Sequence, residues 1–206
     1  MCGRSAGEPL AFAETSAIIN YAKASAFGGV FRNVPNRAVA MQIFIDKGLS
    51  AGLKIVTSGK VLNQLAHARD VMEKELMAKG LEAKKTAKVV QVATEAIKEL
   101  LGRISLDEVD GSAHLQKIKD FFERYKIDRR MLDAVGLKEG KTGKHQQAIP
   151  EKSDMEIFAD ALQLCGDYFI TTDNHFCLEE EIKAEFGIEV INHYNYKVKI
   201  EKLFGA

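Results

Sequence analysis

The segment Asp167-Tyr-Phe-Ile-Thr-Thr-Asp-Asn-His-Phe176 places a short apolar stretch directly before a run of polar residues. Gly166 precedes it as a break, and residues 168–171 combine aromatic and β-branched side chains, which is typical of a buried strand. Asp173 follows that stretch. In a parallel sheet, ligands bind outside the carboxyl ends of the strands. The segment therefore predicts a strand that leads into a candidate binding site.

Four other stretches have the same character, since each is short and apolar and lies between chain-breaking residues. They cover residues 10–13, 54–57, 104–109 and 188–191. Between them, apolar residues recur at helical spacing, in the segments 18–25, 37–47, 61–101 and 114–125 and in the segment after Asp154. Strands that alternate with helices predict an α/β fold, a Rossmann-like three-layer α/β/α arrangement around a mostly parallel sheet of about five strands.

The chain of 206 residues is long enough for one large domain with a full core. Two parts of it are unusually long. The helical segment 61–101 is expected to divide into two helices near Lys79 and Gly80. The segment 136–152 is rich in glycine and lysine and reads as a long loop. We expect a single domain, residues 1–206, that contains both.

The overall charge of the chain does not favour a long nucleic-acid footprint. Lys plus Arg and Asp plus Glu both number 29, whereas proteins that bind nucleic acid over a long surface are usually basic. Contact with an RNA backbone would need local patches, for which the candidates are Lys84, Lys85, Lys88, Lys138, Lys141 and Lys144. Most lysine runs of this kind are simply solvated surfaces. No secretory signal or membrane span is found, so we expect a soluble, cytoplasmic protein with no membrane partner.

Three acidic residues occupy positions that suggest a metal site. Glu14 follows the strand 10–13 and Asp173 follows the strand 168–171, so both should project from the carboxyl edge of the sheet. Asp154 lies at a helix start, where Ser153 and Glu156 match a capping box. Each carboxylate alone has an ordinary explanation as a cap or turn residue. Three at one edge predict a site for Mg²⁺ or Mn²⁺, which prefer carboxylate oxygens.

Five blocks follow one another in a fixed order along the chain. They are Ala13-Glu14-Thr15-Ser16, Thr57-Ser58-Gly-Lys-Val-Leu62-Asn-Gln64-Leu65, Asp154-Met-Glu-Ile157-Phe-Ala159-Asp-Ala161, Thr172-Asp173-Asn-His-Phe176 and Gly187-Ile-Glu-Val-Ile191. In this order they resemble the PIN-domain family of metal-dependent ribonucleases. The match spans nearly the whole chain, with residues 61–103 and 136–152 as its variable parts.

The resemblance implies an endoribonuclease whose carboxylates bind one or two Mg²⁺ or Mn²⁺ ions that activate water for attack on an RNA phosphodiester. Carried over to this chain, Glu14, Asp154 and Asp173 are the catalytic metal ligands, and Ser16 and Thr172 orient them. The implied partner is RNA. A toxin-like nuclease of a toxin–antitoxin pair would also bind an antitoxin-like protein, and a homo-oligomer stays open.

The chain departs from the family pattern at two positions. Glu14 stands where the family usually has Asp, and Gln64 stands where it usually has Glu, so the cluster carries one negative charge fewer. Asp160 is a candidate to compensate, although an exposed helix face explains it as well. We expect the carboxylate oxygens of Glu14, Asp154 and Asp173 to lie within about 8 Å of one another. Gln64 should face the same pocket.

Two alternatives to the nuclease follow from these features. One is a catalytically degenerate PIN-like domain that binds RNA or a protein partner. The other is a flavodoxin-like nucleotide- or phosphate-binding module, which we rank last because the chain lacks a GxGxxG turn. The five histidines have no zinc-motif spacing. His175, beside Asp173, is a candidate for phosphate contact or for simple packing.

Overall fold

The computed structural model describes residues 8–28, 34–125 and 150–205. Five strands form its centre: β1 (Leu10–Ala13), β2 (Lys54–Ser58), β3 (Ser105–Asp107), β4 (Tyr168–Ile170) and β5 (Glu189–Ile191). All neighbouring strands pair in parallel, in the order β3-β2-β1-β4-β5. The predicted α/β fold with a five-stranded parallel sheet is confirmed. A flavodoxin-like sheet has the order 2-1-3-4-5, so the flavodoxin-like alternative has no support in the strand order.

Nine α-helices lie within the described residues: α1 (Thr15–Phe27), α2 (Asn36–Ser50), α3 (Gly59–Ala66), α4 (Ala68–Ala78), α5 (Ala83–Leu101), α6 (Leu115–Arg124), α7 (Lys152–Gln163), α8 (Glu179–Phe186) and α9 (Tyr196–Phe204). Helix α1 packs on α2 and α5, and α2 also packs on α9, whereas α6 packs on α7. Within the described part of the chain, no helix is both long and apolar enough to cross a membrane.

Three local predictions are wrong in detail. The segment 61–101 forms parts of three helices instead of two, because α3 and α4 meet at His67 in addition to the predicted break at Gly80, where φ is +81°. Helix α7 begins at Lys152, inside the predicted loop 136–152, and residues 136–149 lie outside the described part. Its N-cap is Glu151 with no side-chain cap, so Ser153 and Glu156 do not form a capping box. Asp154 instead lies in the first turn, where a negative charge suits the helix dipole.

A cluster of phenylalanines fixes the elements that follow β4. The ring of Phe158 in α7 lies 5.0 Å from that of Phe169 in β4 and 5.2 Å from that of Phe176, measured between ring centres. Phe176 belongs to the short 3₁₀ turn Asn174–Phe176, and all three rings are fully or almost fully buried. Buried aromatic pairs at this distance stabilise a core beyond their area alone. These contacts pack the middle of α7 and the turn after β4 against the sheet.

Asp160 lies inside the core and contacts two distant segments of the chain. It is fully buried, and its Oδ1 accepts hydrogen bonds from Lys60 Nζ at 2.6 Å and from the backbone N–H of Gly111 at 3.1 Å. The prediction that Asp160 lies on an exposed helix face is wrong, and its role as a compensating ligand stays a prediction that its contact with Lys60 does not favour. Because Lys60 and Gly111 come from distant segments, the buried carboxylate ties α3 and the loop after β3 to α7.

Gly111 is expected to tolerate no side chain. A Cβ at this position would lie 2.2 Å from the backbone carbon of Ala159, a contact that only a backbone shift can relieve. That shift would also lengthen the bond to Asp160. Gly111→Ala should lower the free energy of unfolding by about 1–3 kcal/mol, the usual range for overpacking, as measured by urea denaturation. Gly59→Ala is the matched control, since a Cβ added to Gly59 would meet no atom within 4 Å. Equal stability of the two variants would contradict the predicted clash.

Candidate metal centre

A cavity of about 420 Å³ lies beside the carboxyl ends of β1 and β4. The strand order places this point where the chain, having built β2 and β3 on one side of β1, returns to build β4 on the other. Such switch points are where open α/β sheets bind ligands. The cavity is lined by Glu14, Thr15, Ser16, Ile19, Asn20, Lys23, Arg37, Gln64, Asp154, Thr172, Asp173 and Asn174.

Glu14 is the deepest carboxylate of this cavity. It follows β1, is 5% exposed, and accepts hydrogen bonds from the Ser16 hydroxyl and from Thr171 Oγ1, the latter at 2.9 Å. Burial raises the pKa of Glu14 to about 7, since the hydrogen bonds only partly offset the loss of water and Asp173 adds negative charge nearby. A bound cation would favour the ionised form of this group.

Hydrogen bonds join the ends of β1 and β4 into one rim. Ser16 Oγ accepts from the N–H of Thr172 at 2.9 Å, and Thr171 Oγ1 accepts from the N–H of Asp173 at 2.9 Å. The predicted contact between Ser16 and the acidic cluster is present. Thr172 has a different partner, because its hydroxyl accepts from Asn20 Nδ2 at 2.8 Å. The hydroxyl that reaches Glu14 from this strand belongs to Thr171.

Asp154 and Asp173 approach each other closely. One ligand atom from each, together with a ring nitrogen of His175, can be chosen so that all lie within 4.8 Å of one another. The pKa of Asp154 rises to about 6, mainly through burial and secondarily through the negative charges of Asp173 and Glu151, while His175 opposes the rise. Glu14 lines the same cavity but does not belong to this group of three. The expected distance of about 8 Å between its carboxylate and that of Asp154 stays a prediction.

Gln64 faces the cavity from α3. It is half-buried, and its Oε1 accepts a hydrogen bond from the Thr15 hydroxyl. The structure thus places the amide beside the acidic residues, where the family pattern has a carboxylate. A carbonyl oxygen at this point can still face a cation, but it adds no charge.

The basic side chains of the cavity differ from the lysines singled out in the sequence. Lys84, Lys85 and Lys88 are exposed on α5 and do not line the cavity, and Lys138, Lys141 and Lys144 lie outside the described residues. Lys23 and Arg37 line it instead. Lys23 is 9% exposed and pairs with Glu75 at 3.1 Å.

Sequence reasoning also missed Asn20, although a signal for it exists. Ser16, Asn20 and Lys23 lie at positions i, i+4 and i+7 of helix α1, so they share one face. A polar stripe on a buried helix indicates a cavity or a buried network. The stripe predicts which face of α1 borders the site.

Comparisons with known proteins give no identification. No family model, curated protein or solved structure matches this chain. The PIN-like interpretation therefore rests on the order of the sequence blocks and on the cavity.

The donor set suits a divalent cation. Two half-buried carboxylates converge at the cavity, a third carboxylate lies at its base, and the oxygen of Gln64 borders it. Within the described ranges no salt bridge offsets the charge of Asp154. Closely spaced carboxylates repel each other, and His175 beside Asp173 offsets their charge only in part. Mg²⁺ and Mn²⁺ are cations that such oxygens bind.

Proposed function

We propose that this protein is a PIN-like, divalent-metal-dependent endoribonuclease that hydrolyses RNA phosphodiester bonds at the cavity between β1 and β4. The observation that carries the proposal is the presence of Glu14, Asp154 and Asp173 in one cavity at the switch point of a parallel sheet. The net charge of zero fits a small, local RNA contact better than an extended one. The expected location is the cytoplasm. The proposal also includes binding to an antitoxin-like protein or to a second copy of the chain.

The residues of the cavity divide into an acidic and a basic side. Asp154 and Asp173 would hold Mg²⁺ or Mn²⁺, and Glu14, oriented by Ser16 and Thr171, would complete the acidic side. A bound ion supplies charge neutralisation at the phosphate and a more acidic water. Arg37, on the basic side, would bind phosphate oxygens of the RNA strand, whereas Lys23 is paired with Glu75. Arg37 suits this role because it is exposed and lies at the start of α2.

The proposal is tested by incubating the purified 206-residue chain with end-labelled single-stranded RNA. Cleavage is expected with Mn²⁺ or Mg²⁺ and should stop when EDTA is added. A DNA strand of the same sequence serves as the substrate control. Absence of cleavage with every divalent ion tried would overturn the proposal.

A catalytically degenerate domain is the second candidate, and the environment of Glu14 favours it. With a pKa of about 7, Glu14 is substantially protonated near neutral pH in the absence of metal, and Gln64 adds no charge to help attract a cation. Such a domain would bind RNA or a protein partner through the same cavity without cutting. Retention of RNA in a filter-binding assay, combined with no cleavage, would give this candidate first place.

Gln64→Glu is expected to tighten metal binding. The new carboxylate would keep the acceptor for the Thr15 hydroxyl and would add one negative charge beside the acidic residues. We expect Mn²⁺ affinity to rise by about tenfold, since 1.4 kcal/mol of added attraction corresponds to that factor, as measured by calorimetry. Asn63→Glu, one residue away on the exposed side of α3, adds the same charge outside the cavity and serves as the control. No gain over the control would show that Gln64 does not face a metal.

A further inference from the structure

The tightest group of potential ligands at this cavity contains an imidazole. Among the described residues, Asp154, Asp173 and His175 form the one group of three or more such side chains whose ligand atoms lie within 4.8 Å of one another. Ligands bound about 2.1 Å from one ion lie at most about 4.2 Å apart. Small side-chain adjustments would therefore bring these three atoms to a single ion.

The backbone after β4 delivers His175 to the carboxylates. Asp173 begins the 3₁₀ turn Asn174–Phe176, and its Oδ1 accepts the backbone N–H of His175 at 2.9 Å. The Nδ1 of His175 lies 2.9 Å from the same oxygen. Phe176, which is 1% exposed, anchors the turn in the core. The imidazole thus has a fixed position beside Asp173.

Asn20 gives an independent indication that the cavity receives a polar ligand. Its side chain lines the cavity and is 5% exposed, and its Nδ2 donates to Ser16 O and to Thr172 Oγ1. Its Oδ1 is buried with no hydrogen-bond partner in the described part of the chain. Buried amide oxygens are rarely left without a donor. A small rotation of the Asn20 side chain would bring this oxygen to a bound ion or to its water.

We propose that His175 is a metal ligand and that the group of Asp154, Asp173 and His175 selects a first-row transition ion over Mg²⁺. Imidazole nitrogen suits transition ions, whereas Mg²⁺ takes oxygen ligands and retains much of its water. The imidazole also adds a metal ligand to a site in which Gln64 stands where the PIN-domain pattern has a charged Glu. This inference rests on the proposed metal centre but does not require RNA cleavage.

The test uses Mn²⁺ as a paramagnetic probe bound to the 206-residue chain. Mn²⁺ is the weakest binder of the divalent transition series, so nitrogen ligation of it is a stringent criterion. Pulsed electron paramagnetic resonance should detect coupling to a directly bound ¹⁴N, and labelling with ¹⁵N-histidine should convert it to ¹⁵N coupling. The labelled wild type gives this result without any substitution that could disturb folding.

The variant His175→Asn then assigns the ligand. It should lose the nitrogen coupling and bind Mn²⁺ about 10- to 100-fold more weakly, the loss typical of disturbed metal sites. Its Mg²⁺ affinity should change by less than about twofold, because Mg²⁺ depends on the oxygens. His67→Asn, on the exposed junction of α3 and α4, should match wild type. Mn²⁺ bound without nitrogen coupling, or equal loss of Mn²⁺ and Mg²⁺ affinity in His175→Asn, would overturn the proposal.

The outcomes separate this proposal from the nuclease. RNA cleavage supported equally by Mg²⁺ and Mn²⁺, with no nitrogen coupling, would overturn the role of His175 and leave the nuclease in place. Nitrogen coupling with no cleavage under any ion would support the role of His175 and overturn the nuclease.

Discussion

Asp173→Asn is expected to abolish metal-dependent RNA cleavage while leaving the fold almost unchanged. Removing one carboxylate from a cluster that holds a cation costs several kcal/mol of transition-state stabilisation, so the rate should fall by about 100-fold or more. Asparagine keeps the Oδ1 acceptor for the N–H of His175 and therefore preserves the start of the 3₁₀ turn. It also relieves the repulsion that Asp173 exerts on Asp154 and Glu14.

The melting temperature separates a ligand from a purely structural residue. The variant should melt within about 2–4 °C of wild type, which corresponds to about 1 kcal/mol for a chain of this length. Asp120→Asn is the matched control, because it removes the same charge from the exposed face of α6 and keeps an acceptor for Gln116. Full cleavage by Asp173→Asn, or a large fall in its melting temperature, would show that Asp173 serves the turn and does not hold a metal.

The arrangement of Glu14 and Asp173 could be predicted because it depends on local pattern and on one rule of topology. Apolar stretches between breaking residues give the strands, and parallel strands bring their carboxyl ends to one edge. Which hydroxyl meets Glu14 depends on finer detail. The register that pairs Ala13 with Ile170 brings Thr171, and not Thr172, to the carboxylate. A shift of one residue reverses the direction of a side chain in a strand, and the sequence alone does not give that register.

The role of Asp160 could not be predicted because its partners are distant in the chain. Lys60 precedes it by 100 residues, and the contact with Gly111 depends on how the loop after β3 meets α7. The helical pattern around Asp160 carries no signal for either. His175 differs from Asp160 because Asp173, which it contacts, is only two residues away in the chain. The spacing of zinc motifs does not detect a site of the proposed kind. A ligand set of two carboxylates and one imidazole has no fixed sequence spacing, because Asp154 comes from another helix.

Glu14 is expected to make the metal-free protein less stable as the pH rises from about 4.5 to about 7. Its pKa is 4.5 when exposed in the unfolded chain and about 7 in the folded one. Between these values the folded protein retains a proton that the unfolded chain has released, so increasing pH favours unfolding. The contribution of Glu14 to the free energy of unfolding is fully present below pH 4.5 and is lost above about pH 7. The difference between the folded and unfolded pKa of Glu14 corresponds to about 3 kcal/mol in the free energy of unfolding.

Comparison of wild type with Glu14→Gln isolates this contribution, because Gln does not titrate and other groups, including His193 and Glu189, are common to both proteins. In urea denaturation with EDTA, the stability of Glu14→Gln relative to wild type should increase by up to about 3 kcal/mol across this range. Mn²⁺ should reverse the trend for wild type, since a cation binds the ionised carboxylate, and its stabilising effect should be larger at pH 8 than at pH 5.5. Parallel stability curves for the two proteins would mean that the pKa of Glu14 is the same in the folded and unfolded chain, and equal Mn²⁺ stabilisation of both would exclude Glu14 from the metal centre.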